Sequence, residues 1–511
     1  MQTLIKTLKQ VVSSCALLVV CNVGVAAQKE QRIISHAVAA YGGDALLTLQ
    51  SISAREQANQ YSQWQSSHAL QGETVSYVNE QQRMLLIDFT KQHKAFKQVT
   101  TRLVGSHGSN MPSVIERLFV ADKGYVIDHA LKQYQPASNI TFENTDFTVS
   151  EQLDPLIIRK LYQDKAASKW TDTAYIQGAA HDVLTVHEGS EQQYIVYLNQ
   201  QTGYLSRMLT ERGGQLRSFD FLNHQLQQGF VWAQQLFVSS SEGPIYQAYL
   251  RELSFNSLKS QAFSLPKAYK VKPKDVPVDV SKHTFLQLAK GVYFIGQGWG
   301  YTLFVDAGEY FISAGAWQMH ANDKAWQKNL ALLKTHTGLN KPVAQHVVTH
   351  HHSDHMMGLE DVIAHGADLI VHPSDISALQ AHLTAPLVAQ RVIAATNMHT
   401  LASNKVVLID VPNSHASHNL VLYLPEHKLL FSEDMFGSSW QSGFDSPSNW
   451  PHGDTYHRLK ILTDKLQQQE LEVSVYASSH HRRVLTHAEI EQALAIELPT
   501  KAQLMQRVLG E

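Results

Sequence analysis

Residues 349–355 read Thr349, His350, His351, His352, Ser353, Asp354 and His355, directly after the apolar pair Val347 and Val348 and before Met356 and Met357. This H-x-H-x-D-H run predicts an apolar strand, a polar loop and the start of a helix in immediate succession. On an extended loop His350 and His352 project to one side, while Asp354 and His355 turn the other way as the helix begins. One short loop then supplies ligands to two adjacent metal ions. Imidazole and carboxylate suit zinc and other borderline divalent ions. So many polar groups crowded at a strand end have no packing explanation.

The rest of the composition narrows what surrounds this loop. A chain of 511 residues, 44% hydrophobic and 17% charged, is too long for one ordinary domain and too apolar for disorder. Its net charge of −3 leaves no excess with which to hold a nucleic-acid backbone or an anionic membrane. Of 28 histidines, 20 fall in residues 283–511 and 8 in residues 1–282, which points to chemistry in the second half. Lys6 and Lys9 precede an apolar stretch from Val11 to Val25 that ends in Val25, Ala26 and Ala27, the pattern of a secretory signal cleaved near Ala27. An uncleaved anchor is the alternative, against which Ser13, Ser14, Asn22 and Gly24 interrupt the run. A lipoprotein site at Cys21, after Leu18, Val19 and Val20, is another. Both cysteines, Cys15 and Cys21, lie inside the leader, so cleavage excludes disulfides and thiolate ligands. The expectation is an exported protein, periplasmic or secreted, with no transmembrane segment in the mature chain.

Residues 28–266 open with a helix-like stretch from Ile33 to Leu49 around Gly42 and Gly43, then turn to period two. Leu118 to Val120, Tyr125 to Ile127, Tyr194 to Leu198 and Phe230 to Val238 are short, apolar and separated by polar turns, which predicts an antiparallel sheet. Asn199 to Gly203 reads as a hairpin connection. Ala40 to Leu46, the 194–208 hairpin, Gln228 to Val231 and the stretch from Phe255 to Pro266 resemble the lipoprotein-carrier and sorting-protein superfamily. That resemblance implies a half-open β-barrel with helices over an apolar cavity. Pro266, Pro273 and Pro277 mark an extended linker at 267–283. From 284 to 511, strand-like runs such as Val292 to Ile295, Thr302 to Val305 and Leu420 to Leu424 alternate with helical stretches near 322–334, 356–365 and 454–468. That alternation is layered α/β architecture.

The 350–355 motif is similar to that of the metallo-β-lactamase superfamily, and the later motifs follow in its order over roughly residues 285–490. The expected fold class is therefore a two-domain α+β and α/β chain: an N-terminal antiparallel β half-barrel with helices and a C-terminal αββα sandwich. By the resemblance, His415 in Asn413 to Asn419 is the third histidine, with His418 as its rival. Asp434, at the end of Leu429 to Phe431, is the bridging carboxylate in preference to Glu433, and His480, after Val473 to Tyr476, is the last ligand, with His481 in place of a glycine. The resemblance then implies one metal on His350, His352 and His415, a second on Asp354, His355 and His480, and Asp434 between them. Asp354 is the catalytic residue of that scheme, orienting a metal-bridging hydroxide and taking its proton. His351 is expected to point away. Ser313 stands where the family usually has a supporting Asp.

The function expected from these readings is an exported dinuclear zinc hydrolase, with iron or manganese as alternative ions, that cleaves an ester, thioester or lactone. Phosphoester and β-lactam cleavage rank behind, and the Phe436 to Pro451 loop, with Trp440 and Trp450, is a candidate substrate wall. The attached N-terminal region suggests a small amphipathic or lipid-like substrate. Two alternatives stay open: an exported apolar-ligand carrier with a structural or degenerate metal domain, and a mononuclear iron oxidoreductase on the same fold.

Overall fold

The computed structural model describes residues 28–62, 77–102, 112–129, 131–272, 281–298, 300–318, 323–384, 386–388, 391–413, 415–436, 452–480, 482–495, 497 and 499–510. The expected leader, Pro273 and Pro277, His481 and residues 437–451 lie outside these residues. None of the described helices is long and apolar enough to cross a membrane.

A helix over residues 28–40 buries Ile33, Ile34, Ala37 and Val38, a stripe at the spacing of one helix face. Gly42 and Gly43, both at positive φ, stop it before the short helix Asp44–Leu47. A Cβ at Gly42 would lie 2.9 Å from the Gly229 carbonyl oxygen, so only glycine lets the turn sit this close to the neighbouring hairpin. The single helix-like stretch read between Ile33 and Leu49 is thus two helices.

Among the described residues, fourteen strands between Ser51 and Val271 form one sheet. The strands flanking each turn pair in sequence, and Ser51–Ser62 pairs antiparallel with Gly243–Phe255 to join the two limbs. The predicted hairpin is present: Leu205 pairs with Leu198, Gly203 takes φ 75°, and the Asn199 side chain accepts from the Gln201 and Thr202 N–H groups. Lys270 and Val271, placed in the linker by sequence, instead add a parallel edge strand against Gln133 and Tyr134.

The two helices and Asp154–Gln163 pack on this sheet around Tyr41, Trp232, Phe219 and Phe221. At their centre Arg251, fully buried, donates to Glu56 at 2.9 Å and to Asp154 at 3.4 Å. Asp154 also accepts from the Ala233 N–H and the Tyr41 hydroxyl. A cavity of about 260 Å³ lies along the other limb, lined by Val114, Ile115, Val126, Tyr134 and Phe147 and by the charged Glu116 and Arg117.

The described residues of 284–486 contribute two further sheets, of seven and six strands. Phe294, Leu303 and Ile312 of the first meet Leu408, Leu422 and Phe431 of the second in one apolar layer. Helices Ala325–Thr337 and Leu359–Ala364 cover the first sheet through Trp326, Leu330 and Val362. Helices His452–Gln468 and His487–Leu494 cover the second through Leu459, Leu462 and Ile490. The result is a helix, sheet, sheet, helix sandwich. The closing helix Lys501–Leu509 leaves it. Val508 and Leu509 bury against Leu86, Ala95 and Leu118 of the N-terminal sheet, and Arg507 donates to the His129 carbonyl.

Removing one member of a buried ion network leaves its partner charged and unpaired, which costs about 3–5 kcal/mol. Asp154→Ala is accordingly expected to lower stability by about that amount, read as a shift of the urea unfolding midpoint. A change below about 1 kcal/mol would show that Arg251 is satisfied without Asp154.

Candidate metal centre

Four loops at strand ends build the site. Val343–Val347 runs parallel to Phe311–Ala314 and delivers the 350–355 loop. Val406–Asp410 and Leu420–Leu424 pair antiparallel and hold the loop of His415 between them. Leu429–Phe431 runs parallel to Val475–Ala477, so Asp434 and His480, each three residues past its strand, emerge side by side. Two backbone bonds stitch the sheets together here, Leu420 N to Thr349 O and Tyr301 N to Ser479 O, both 2.8 Å. Gly315, at φ 87°, permits the close crossing behind them, because a Cβ there would lie 2.5 Å from the Tyr301 oxygen.

The expected residues are brought together in two overlapping groups: His350, His352, His415 and Asp434, and Asp354, His355, Asp434 and His480. Within each group the candidate ligand atoms lie within 4.8 Å of one another. Asp434 Oδ2 is 2.9 Å from His415 Nε2, 3.0 Å from His355 Nε2 and 3.7 Å from His350 Nε2, and its Oδ1 is 2.6 Å from His480 Nε2. His415 rather than His418 joins the first group, and Asp434 rather than Glu433 is the shared carboxylate.

Hydrogen bonds on the far side of each ring select the nitrogen that faces inward. His355 Nδ1 is 2.7 Å from Glu433 Oε1, which leaves Nε2 toward Asp434. His350 Nδ1 is 3.0 Å from the Thr349 hydroxyl, leaving Nε2. His352 Nε2 donates to the His415 carbonyl at 3.0 Å, leaving Nδ1. A partner on the outer nitrogen fixes ring and tautomer in the way metal-ligating histidines require.

The donor set fits a divalent cation. His350 Nε2 and His415 Nε2 stand 3.2 Å apart, close to the ~3.3 Å edge of a tetrahedron with bonds of about 2.0–2.1 Å. Asp354 Oδ1 is buried with no hydrogen-bond partner among the described residues. Burial, with the charges of Arg458 on His415 and of neighbouring imidazoles on His352, holds both histidines well below their usual pKa, in the neutral ligating form. Burial also pulls on His355 and His480, but Asp434 outweighs it at both, helped at His355 by Glu433, and raises them. The carboxylates demand positive charge at this spot.

Three neighbours have roles that the sequence reading does not assign. Glu433 is buried, sits in the left-handed region at φ 48°, and takes the Ser478 hydroxyl on its carbonyl at 2.5 Å while its carboxylate holds His355. Arg458 donates to the Asp434 carbonyl at 2.7 Å. Trp317 stands edge-on to the His480 ring, 6.1 Å between centroids, and lies against Gly300, where a Cβ would be 2.2 Å from the indole. His351 is buried, and its Nδ1 is 3.6 Å from Asp375 Oδ1, outside both groups. Ser313 pairs with His346 Nδ1 at 2.7 Å on the adjacent strand, and burial drives that imidazole down to about 3.

No family model and no curated protein matches the chain. Among solved structures it is similar to the DIM-1 metallo-β-lactamase, with 13% identity over 43% of this chain and 98% of that one, at a TM-score of 0.34. It is also similar to the metallo-β-lactamase FIM-1 from Pseudomonas aeruginosa in a mono-zinc form, with 22% identity over 44% and 96% and a TM-score of 0.33. A third similar structure is a metallo-β-lactamase from Pontibacter korlensis, with 21% identity over 42% and 98% and a TM-score of 0.32. None of these named structures is a lipoprotein carrier, so that resemblance stands on the sequence.

Outer-shell partners of ligating histidines are worth about 10–100-fold in metal affinity. Glu433→Gln keeps the shape and removes the charge behind His355. It is expected to weaken zinc binding at the Asp354, His355 and His480 group by about that factor, measured by competition with a chromophoric chelator. Unchanged affinity would show that Glu433 does not support His355.

Proposed function

We propose that this chain is an exported metal-dependent hydrolase holding two divalent cations, zinc by its donor set, that cleaves an ester, thioester or lactone. The observation that carries this reading is the pair of ligand groups sharing one buried carboxylate, Asp434. His350, His352 and His415 would hold one ion, and Asp354, His355 and His480 the other. Two such ions lower the pKa of water and polarise a substrate carbonyl.

The chain's own groups supply the rest. Asp354, whose Oδ1 is buried with no hydrogen-bond partner among the described residues, is the proton acceptor at the site. Glu433 keeps Nε2 of His355 aimed inward and Thr349 does the same for His350, so little reorganisation is needed as charge develops. Trp317 offers an apolar face beside His480, suited to an acyl chain or lactone ring. The cavity along Val114, Ile115 and Phe147, which Glu116 and Arg117 also line, would take an amphipathic molecule.

Hydrolysis of ester, thioester, lactone, phosphoester and β-lactam substrates by the full mature chain, with zinc and with a chelator, tests this. Chelator-sensitive turnover of an acyl substrate is expected, reduced by orders of magnitude in Asp354→Ala. Turnover indifferent to the chelator, or confined to phosphoesters or β-lactams, would contradict the proposal.

A further inference from the structure

Among the described residues one more cluster of ligating side chains stands apart from the seven above: His372, Asp410 and His418, with candidate ligand atoms within 4.8 Å of one another. His372 directly follows the strand Asp368–Val371, which runs parallel to Val343–Val347, the strand behind the 350–355 loop. Asp410 closes the strand Val406–Asp410, and His418 opens the way into its partner Leu420–Leu424. The cluster therefore bridges the two sheets on the rim that carries the candidate metal centre, and His418 belongs to the same loop as His415.

The His372 and His418 rings stack face to face, 12° from parallel with centroids 3.5 Å apart, so one ring has to turn out of the stack for both in-plane lone pairs to reach one ion. Asp410 is oriented by the Asn419 N–H, which donates to Oδ1 at 3.1 Å, leaving Oδ2 for the imidazoles. From Oδ2, His418 Nδ1 is 2.9 Å away and His372 Nε2 is 3.8 Å away. The longer separation is no hydrogen bond. Together the two bracket the ~3.3 Å expected between ligand atoms of a tetrahedral ion with bonds of about 2.0–2.1 Å. Asp375, whose Oδ2 is buried with no hydrogen-bond partner among the described residues, adds negative charge facing His372.

We propose that His372, Asp410 and His418 form a third zinc site, structural in role, that ties the His415 loop to the neighbouring sheet. The ion would sit against Asp410 Oδ2, His418 Nδ1 and His372 Nε2, with its fourth position open to water. Burial and the neighbouring His418 keep His372 below its usual pKa and so in the neutral form a metal needs. Coordination has a definite local cost. Ser374 N–H now donates to His372 Nδ1 at 3.3 Å, and a metal on Nε2 moves the ring proton to Nδ1 and breaks that long bond. The ion also takes the place of the proton between His418 Nδ1 and Asp410 Oδ2, 2.9 Å apart, so these two hydrogen bonds are exchanged for the metal–ligand bonds.

Zinc content of the full mature chain, stripped by chelator and reloaded with zinc alone, is the readout, by elemental analysis on folded protein. His372→Ala and His418→Gln are each expected to lose one ion per chain relative to the unsubstituted protein, while His350→Ala keeps that ion. The difference is diagnostic whether or not the candidate catalytic centre fills: failure of that centre alone shows as low zinc in the unsubstituted protein that still falls on His372→Ala. If His372→Ala does not fold, His418→Gln, which preserves volume and polarity, decides. Equal zinc in the unsubstituted protein and His418→Gln would overturn the proposal and leave the cluster a hydrogen-bonded histidine pair.

Discussion

Asp434 is a carboxylate taken almost wholly out of water, with nitrogens of His415, His355 and His480 within 3.0 Å of it and His350 at 3.7 Å. A buried anion is tolerated only when positive charge and donors meet it. The surrounding architecture delivers those groups from both sheets. The parallel pairing of Leu429–Phe431 with Val475–Ala477 fixes Asp434 beside His480, and the Leu420 to Thr349 backbone bond fixes the His415 loop beside the 350–355 loop. A slip of one residue in either pairing would carry the ligand to the other face of its sheet.

The N-terminal region meets a similar electrostatic problem. Arg251 at its centre is matched by Glu56 and Asp154 and by the Gln152 and Ala233 carbonyls, so that its donors are spent on the fold. The same sheet receives the closing helix Lys501–Leu509 through Val508, Leu509 and Arg507. Both ends of the sandwich sequence are thus anchored near that sheet, through the 270–271 edge strand and the closing helix.

Much of this was legible in the residues. The 350–355 loop announces itself because histidines so spaced serve no core, and the 194–208 hairpin because Gly203 and an Asn199 able to bond its own turn stand between two alternating runs. The layered sandwich follows from alternating strand and helix patterns. What the sequence conceals depends on backbone conformation or on distant partners. Glu433 reads as a neighbour of the important carboxylate, and its role emerges only once a left-handed turn aims it at His355. Trp317 gains its place from the missing side chain at Gly300, far from it in any linear motif. Lys501–Leu509 is visibly amphipathic, but amphipathicity does not say which surface is covered. His418 looked like a rival ligand because spacing cannot distinguish a loop residue facing Asp434 from one facing Asp410.

The central claim, two cations flanking Asp434, is tested most directly by anomalous diffraction from crystals of the zinc-loaded protein at the zinc edge. Two peaks are expected on either side of the Asp434 carboxylate, one about 2.0–2.2 Å from nitrogens of His350, His352 and His415, the other at that distance from Asp354, His355 and His480. A map with no peak beside Asp434, its imidazoles bonded to the carboxylate alone, would contradict it.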